Sequence, residues 1–133
     1  MARRHKYRVA PAKDRRFNGR TYASKAEMLY AKHLFAMRES ALILDYMEQP
    51  TTRLGCPENI YRPDFLVVPT SDEGQPFYVD VKGMETRTFK RNKKLWMAYG
   101  WLDLHVVKRF GSRFLTTEVV HGQYSDKGHG PDL

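Results

Sequence analysis

Two acidic residues and a lysine near the middle of the chain have the types and spacing that could perform chemistry. The segment Phe77–Lys82 reads as a strand, and successive side chains of a strand point to opposite faces. Asp80 and Lys82 therefore share one face, while Val79 and Val81 bury the other. A charged pair on so apolar a strand is costly unless it is paired or coordinated. The alternative is an exposed ion pair, which contributes about 0–1 kcal/mol.

A second carboxylate opens the preceding predicted strand. Asp64 follows Pro63, which has no N–H and so marks the first residue of a strand or an edge. If the strands at 65–68 and 77–82 pair as a hairpin, Asp64 approaches Asp80 across it. Two adjacent carboxylates repel each other, and a hard dication with oxygen ligands, Mg²⁺ or Mn²⁺, relieves that repulsion. The alternative is a turn carboxylate after proline, which is common.

Glu27 is the candidate third carboxylate. Ser24 reads as the N-cap of a helix that runs to about Arg38, and Glu27 lies at the edge of its apolar stripe, from where it can reach the sheet. The residues predicted to form the stripe are Ala26, Leu29, Tyr30, Leu34 and Met37. Ser24 and Glu27 also fit a capping box, in which the Glu27 carboxylate bonds back to the Ser24 N–H. The local sequence leaves both roles open. Beside a metal, Lys82 could orient water or stabilise charge developing on a phosphate.

The elements that must position these residues follow in the order helix, three strands, helix, two strands. The predicted strands are residues 42–47, with a continuation at 51–54 past a bend, then 65–68, 77–82, 102–107 and 114–120. The second helix covers 88–99, with Leu95, Trp96 and Tyr99 inward and Gly100 as its stop. Asn18-Gly19 predicts a turn. The order indicates an α/β or α+β layer domain with a parallel, right-handed crossover through the second helix.

Positive charge is concentrated at the N-terminus. The chain carries a net charge of +8, of which residues 1–20 hold +7 and residues 21–133 hold +1. Such an arm suits a polyanion, because neutralising phosphates releases counterions, although a solvated tail is the alternative. The residues of the arm expected to contact DNA are Arg3, Arg4, Lys6, Arg8, Arg15, Arg16 and Arg20. A second basic face, on the second helix beside Lys82, consists of Arg87, Lys90, Arg91, Lys93 and Lys94, of which the last four are expected to contact DNA. A solvated face is the alternative.

Several classes of protein are disfavoured. Cys56 is the single cysteine, which excludes an internal disulfide framework, and no stretch approaches the length of a membrane-spanning helix. The five histidines lack the spacing of a zinc site, and a glycine-rich phosphate loop is absent, so no nucleotide cofactor is implied. We expect a cytoplasmic protein with no membrane association. The predicted organisation is a basic arm at 1–20, one domain at 21–120 and a loose tail at 121–133.

The ensemble of these residues resembles the PD-(D/E)XK nuclease superfamily. Its pattern of Pro-Asp, ten to thirty residues and then an acidic residue, any residue and Lys is matched by Pro63-Asp64, fifteen intervening residues and Asp80-Val81-Lys82. The segment 18–27, a glycine turn and an aromatic leading into Ser-Lys-Ala-Glu, is similar to a phage-associated branch of small Holliday-junction resolvases. Glu48-Gln49-Pro50 and Asp80-Val81-Lys82-Gly83 resemble further segments of that branch. The similarity covers roughly residues 5–110.

The resemblance implies a restriction-endonuclease-like core, with a mixed central sheet of about four to five strands flanked by helices. Asp64, Asp80 and the carbonyl of Val81 would bind Mg²⁺ or Mn²⁺, Glu27 would complete the site, and Lys82 would be the catalytic lysine. Gln49 matches a position near the site.

The implied function is hydrolysis of phosphodiester bonds in branched DNA, most directly Holliday-junction resolution by a homodimer. The segment after Arg109 has no counterpart in the resemblance. Two other functions stay open: a sequence-specific or nicking endonuclease of the same fold, and a non-catalytic DNA-binding module with a decayed nuclease fold.

Overall fold

The structure is a computed structural model of the chain, and it describes residues 9–124. The helices within that range are α1 (Lys25–Glu39) and α2 (Arg87–Tyr99), with a 3-10 turn at Ala12–Arg15. The strands are β1 (Arg16–Phe17), β2 (Arg20–Thr21), β3 (Asp45–Glu48), β4 (Thr52–Arg53), β5 (Ile60–Tyr61), β6 (Phe65–Val68), β7 (Phe77–Val81), β8 (Leu104–Phe110) and β9 (Arg113–Val120). The predicted tail residues from 125 onward lie outside the described residues.

One mixed sheet of five strands, in the order β3-β6-β7-β8-β9, organises the molecule. Strand β6 pairs antiparallel with β3 and β7, β7 pairs parallel with β8, and β8 pairs antiparallel with β9. The hairpin predicted between β6 and β7 is confirmed, and so is the parallel crossover from β7 through α2 to β8. With two helices and this sheet, the fold is α/β, as the order of elements predicts.

The alternation of the strands gives the sheet two apolar faces, each covered by one helix. On the α1 side, the packed residues include Ala31, Leu34, Phe65, Val67, Val79 and Val81. On the α2 side they are Leu54, Tyr61, Phe89, Trp96, Leu104, Val106 and Val120. Successive residues of β7 contribute to the two sides in turn, since Val79 packs towards α1 and Tyr78 packs towards α2. Burying both faces fixes the register of β7, because a slip of one residue would exchange them.

Helix α1 begins where the sequence predicts, with Ser24 Oγ accepting the Glu27 N–H at 3.0 Å. Tyr30 and Leu34 of the predicted stripe are buried. The other three members, Ala26, Leu29 and Met37, are partly buried and pack against the same cluster. The apolar periodicity of α1 therefore predicts its buried face correctly.

Helix α2 is capped by Thr86, whose Oγ1 accepts the Phe89 N–H at 3.1 Å. Trp96 is buried, but the prediction that Tyr99 faces inward is wrong, since 50% of this residue is exposed. Its ring lies over Gly55, where an added Cβ would come within 2.9 Å of it. The helix ends at Gly100 as predicted, although the backbone there is extended and not left-handed.

Residues 12–21, most of which fall within the predicted basic arm, form a 3-10 turn and a short hairpin. Asn18 and Gly19 both have positive φ, 55° and 80°, and form the predicted turn between β1 and β2. The Arg15 guanidinium donates to the Tyr22 carbonyl at 2.6 Å, which ties the 3-10 turn to the chain just before α1. The boundary predicted at residue 20, between the basic arm and the domain, therefore falls inside this hairpin.

Three of the predicted strand ranges differ from the structure by more than a one-residue shift, one of them being 102–107, since β8 covers Leu104–Phe110. β3 begins at Asp45 and not at Leu42, because Leu42 N–H bonds to the Met37 carbonyl at 2.8 Å as the chain turns away from α1. Residues 52–53 do not continue β3 but pair with β5 in a separate two-stranded ladder, after a bend at Gln49, which has a φ of 48°. Within residues 9–124, no helix is long and apolar enough to cross a membrane.

Candidate functional site

The predicted chemical residues meet at one end of the central sheet, because of the strand directions. β7 ends at Val81, and β6, which runs antiparallel to it, begins at the same end with Phe65. Phe65 pairs with Val79, so the same register extended by one residue sets Asp64 opposite Asp80. Helix α1 also starts near this end, which brings Glu27 within electrostatic range of Asp80. Three elements, α1, β6 and β7, therefore contribute to one site.

Asp64 closes the gap where β6 and β7 separate. The described ladder stops at Phe65 and Val79, and the next N–H of β7 on that side, that of Val81, donates to Asp64 Oδ2 at 2.8 Å. The carboxylate replaces the carbonyl that a longer β6 would supply. On its other side the Asp64 carbonyl accepts the Gln49 N–H at 2.9 Å. The backbone of Asp64 is thus held by β3 and its side chain by β7, which fixes the orientation of the carboxylate.

Asp80 is a buried carboxylate whose partners include a hydroxyl and an ammonium group. Only 2% of the residue is exposed. The Tyr61 hydroxyl donates to Oδ2, and the Lys82 ammonium lies 3.3 Å from Oδ1. Lys82 Nζ also lies 4.5 Å from the centre of the Phe89 ring, in a cation–π contact. The alternative of an exposed Asp80–Lys82 pair is therefore wrong, because the acidic partner is enclosed.

Glu27 is buried although it stands in the first turn of α1. It is 5% exposed, and its N–H supplies one half of the capping box. Among the hydrogen bonds of residues 9–124, its carboxylate makes none to the Ser24 N–H, so the second half is not formed. Burial, followed by the negative charge of Asp80, raises the pKa of Glu27, while Arg20 and Lys82 oppose the increase. The side chain is directed into the acidic site and not back onto its own helix.

The Asp64 carboxyl has the most strongly perturbed acidity of these groups. Burial is the largest cause that raises its pKa well above the ordinary value, followed by the charges of Asp80 and Glu27 and a hydrogen bond with Asp80. The bond from the Val81 N–H opposes this change. The repulsion from Asp80 and Glu27 therefore favours the neutral form of the Asp64 carboxyl over the charged one. A bound cation would relieve the same repulsion.

The donor set at this site consists of carboxylate oxygens, which suits Mg²⁺ or Mn²⁺. No group of three His, Cys, Asp or Glu side chains in the described part of the chain converges as a complete ligand set. Mg²⁺ keeps several water ligands and is commonly held by one or two carboxylates together with substrate phosphates. Asp64 and Asp80 are in contact and supply the two carboxylates that such a site needs. We conclude that the residues present fit such an ion.

A second polar group borders the site on the α1 side, and the sequence analysis did not assign it. Glu48, the last residue of β3, accepts a hydrogen bond from the Tyr22 hydroxyl and lies 3.9 Å from Arg20 Nε. Its charge also raises the pKa of Glu27. Glu48 is next to Gln49, the position singled out by the resemblance. The Gln49 side chain is exposed, and it is the Gln49 backbone that contacts Asp64.

Tyr61 is the other residue that the sequence analysis missed. It lies in the two-residue strand β5, which is too short to show any periodicity. The one available signal is its position three residues before Asp64, in Tyr-Arg-Pro-Asp. A tyrosine there packs its ring on Trp96, with ring centres 5.9 Å apart, and directs its hydroxyl to Asp80. The partner of a buried carboxylate is set by the tertiary fold and not by spacing.

The residues predicted to contact DNA are found in different environments. Lys90, Arg91 and Lys94 are exposed on α2. Lys93 instead lies 2.8 Å from both Glu85 and Glu118, so its charge is already paired. Of the basic arm, Arg16 is exposed, Arg20 lies near Glu48 and Arg15 bonds to backbone. The other predicted arm contacts lie outside the described residues: Arg3, Arg4, Lys6 and Arg8.

No family model, no curated protein and no solved structure matches this chain. The functional conclusion therefore depends on the site itself.

Proposed function

We propose that this protein is a metal-dependent endodeoxyribonuclease with a PD-(D/E)XK-type active site. The observation that carries the proposal is the pair of carboxylates at the fork of β6 and β7. Asp64 stands opposite Asp80 there, and Lys82 is ion-paired to Asp80. Two acidic groups that repel each other at the end of a sheet, with a lysine beside them, are the arrangement needed to hold a dication and a phosphodiester.

The fold supports the finer proposal of a restriction-endonuclease-like core. The hairpin of β6 and β7, the crossover through α2 to a parallel β8, and α1 on the opposite face are compatible with that core. Branched DNA as substrate and a homodimer as the active form rest on the resemblance of the sequence to small junction resolvases. A two-fold dimer would supply two sites at fixed spacing for two symmetric cuts.

Asp64, Asp80 and the Val81 carbonyl would hold Mg²⁺ or Mn²⁺, with Glu27 as a further carboxylate. When bound, such an ion polarises a phosphoryl oxygen and lowers the pKa of a coordinated water. The other contributions come from the chain. The Lys82 ammonium, held between Asp80 and the Phe89 ring, offers a positive charge to the oxygen on which negative charge develops. The Tyr61 hydroxyl holds the Asp80 carboxylate in one orientation.

Cleavage of a labelled synthetic four-way junction, beside a linear duplex of equal length, tests the proposal. We expect cutting of the junction in symmetrically related strands with Mg²⁺ or Mn²⁺, and none with Ca²⁺ or EDTA. Light scattering on the free protein should give the mass of a dimer. Equal cutting of the linear duplex would remove the preference for branched DNA. Binding of DNA without cutting in any metal would identify a non-catalytic module instead.

Variants of the site test which residues carry the reaction. Asp80→Asn and Lys82→Gln should each lower the cleavage rate by about 10²–10³-fold or more, since each removes a charge next to the reacting phosphate. DNA affinity in EDTA should stay within a few-fold. The matched control is Asp72→Asn, an exposed carboxylate in the loop between β6 and β7. Full cutting by both site variants would show that the reaction occurs elsewhere.

A further inference from the structure

A cleft of about 450 Å³ opens directly beside Lys82 at the site end of the sheet. It forms where β7 ends at Val81 while β8 continues past Val107 to Phe110, so that Lys82 and Gly83 leave the sheet beside Lys108 and Arg109. The start of α1 closes the cleft through Ala26. Three of its six lining residues are cationic and none is acidic. Ligands of open α/β sheets commonly bind beyond the carboxyl ends of the strands, where this cleft lies.

A second cleft, of about 520 Å³, continues the first one along α1. Arg109 lines both clefts, and the second also includes Lys25 and Lys32. Its lining again contains no acidic residue. Lys25 and Lys32 are seven positions apart on one helix, so their Cα atoms are about 10.5 Å apart along the axis. We call the set of Lys25, Lys32, Lys82, Lys108 and Arg109 the cationic track.

The face of α2 that the sequence singles out has a different charge balance. A groove of about 630 Å³ between α2 and β9 is lined by three lysines but also by Glu85 and Glu118. Lys93 bridges those two carboxylates at 2.8 Å each. Lys108 of the track is within electrostatic range of Glu85, but that carboxylate is already paired with Lys93. The two clefts of the track are therefore lined by cations without carboxylates, whereas the groove beside α2 is lined by both.

We propose that the cationic track binds the sugar–phosphate backbone of the DNA that extends from the active site. The chain of cations starts at Lys82, which contacts Asp80, and leads away from the site along α1, so phosphates on one side of the scissile bond would be held in register with it. The axial separation of Lys25 and Lys32 corresponds to about three base-pair steps of B-DNA. The identity of the polyanion as DNA rests on the proposed function, whereas the charge of the track does not.

The test is DNA binding in EDTA, measured by fluorescence anisotropy of a labelled duplex across a range of salt concentrations. The double variant Lys108→Gln with Arg109→Gln should raise Kd about tenfold or more and reduce the slope of log K against log salt by about 2. Lys25→Gln with Lys32→Gln provides a second, independent pair on the exposed surface of α1. Both pairs lie on or near the surface, so thermal unfolding should be close to that of the parent protein.

Arg91→Gln with Lys94→Gln, on the exposed face of α2, is the charge-matched comparison. The proposal requires each track pair to weaken binding more than this pair does. An equal or larger loss from the α2 pair, or unchanged affinity in both track pairs, would overturn it. Because no cutting occurs in EDTA, the result is independent of the nuclease proposal. If the protein binds DNA through the track but never cuts it, this inference holds and the proposed activity is wrong. If the protein cuts DNA and the track variants bind as tightly as the parent, the proposed activity holds and this inference is wrong.

Discussion

At the scale of single residues, Tyr61 has a role that spacing alone did not indicate. Its hydroxyl is the one phenol in the described part of the chain that donates to Asp80. Burial and the negative charge of Asp80 raise the pKa of Tyr61, so the hydroxyl stays protonated and remains a donor at neutral pH. A carboxylate held in this way keeps one oxygen fixed while the other contacts Lys82.

We expect Tyr61→Phe to weaken Mg²⁺ binding and to slow cleavage, each by about 10–100-fold, which is typical when a partner of a metal ligand is removed. Isothermal titration with Mg²⁺ and single-turnover cleavage would measure the two effects. The control is Tyr30→Phe, which removes the same hydroxyl from another buried tyrosine. The Tyr30 ring packs against Phe65 and Phe114, and it is Tyr61, not Tyr30, whose hydroxyl bonds to Asp80. Equal effects of the two variants would argue against a positioning role.

Glu27 can be assigned experimentally by the sign of a change in stability. Ser24→Ala removes an N-cap and should lower the free energy of unfolding by about 1 kcal/mol. A true capping box predicts that Glu27→Gln changes stability little, because a glutamine at this position accepts the Ser24 N–H as a glutamate does. The structure predicts a gain of stability in EDTA, because the substitution removes a buried charge that Asp80 repels. Urea denaturation at pH 7 measures both variants, and an unchanged or lower stability of Glu27→Gln would support the capping role.

Much of the site was predictable because two of its three key residues share a strand. Alternation alone set Asp80 and Lys82 on one face, and the hairpin brought Asp64 opposite Asp80. The roles of Glu48 and Tyr61 were not predictable, because they depend on where β3 and β5 lie in three dimensions. The burial of Glu27 was left open for the same reason.

At the scale of elements, Gly100 shows how a correct boundary can have an unexpected cause. Glycine is common at helix ends because it adopts left-handed angles, yet the backbone of Gly100 is extended, and a Cβ there would come within 2.6 Å of the Trp96 ring. The Trp96 indole N–H donates to the Leu102 carbonyl at 2.8 Å, which holds the ring against the glycine. The glycine is therefore required by packing and not by its backbone angles.

We expect Gly100→Ala to lower the free energy of unfolding by about 1–3 kcal/mol, the usual cost of overpacking a core. Gly83→Ala is the control, since no atom lies within 4 Å of the position that its Cβ would take. Chemical denaturation monitored by circular dichroism measures both. A change of less than about 0.5 kcal/mol in Gly100→Ala would mean that Trp96 moves aside at little cost.

The long elements were predictable and the short ones were not. α1, α2, β6 and β7 each span enough residues to show helical or alternating periodicity, and they occur at or within a few positions of their predicted bounds. The paired strands β4 and β5 have two residues each, which is too few for any period. Tyr99 was misplaced because its aromatic character suggested burial, whereas it packs over Gly55 at the surface.

At the scale of the whole molecule, the crowding of acidic groups links folding to pH. Asp64 and Glu27 have pKa values raised above the ordinary 3.8 and 4.5. The folded protein therefore binds more protons than the unfolded chain over the interval between the ordinary and raised values. Stability then falls as the pH rises through that interval. This direction is opposite to that of an ordinary salt-bridged carboxylate.

We expect the free energy of unfolding in EDTA to decrease as the pH rises from about 4, by up to about 1.4 kcal/mol for each unit by which one pKa is raised. Asp64→Asn should flatten this profile, since the amide oxygen still accepts the Val81 N–H but carries no charge. Thermal unfolding across pH measures the effect, with Asp72→Asn as the control. A profile of Asp64→Asn that is unchanged from the parent would exclude Asp64 as its source.

The packing of Trp96 also makes it an intrinsic fluorescence probe of the candidate site. This indole is 1% exposed and lies against Tyr61, whose hydroxyl is bound to Asp80, whereas the other tryptophan, Trp101, is 64% exposed and stacks on Tyr124. Replacing Trp101 with Phe would leave Trp96 as the single tryptophan. Trp96 contacts Tyr61, which is bonded to the candidate metal ligand Asp80. Ion binding at the fork could then be followed by ultraviolet fluorescence of the unlabelled protein, without DNA and without turnover.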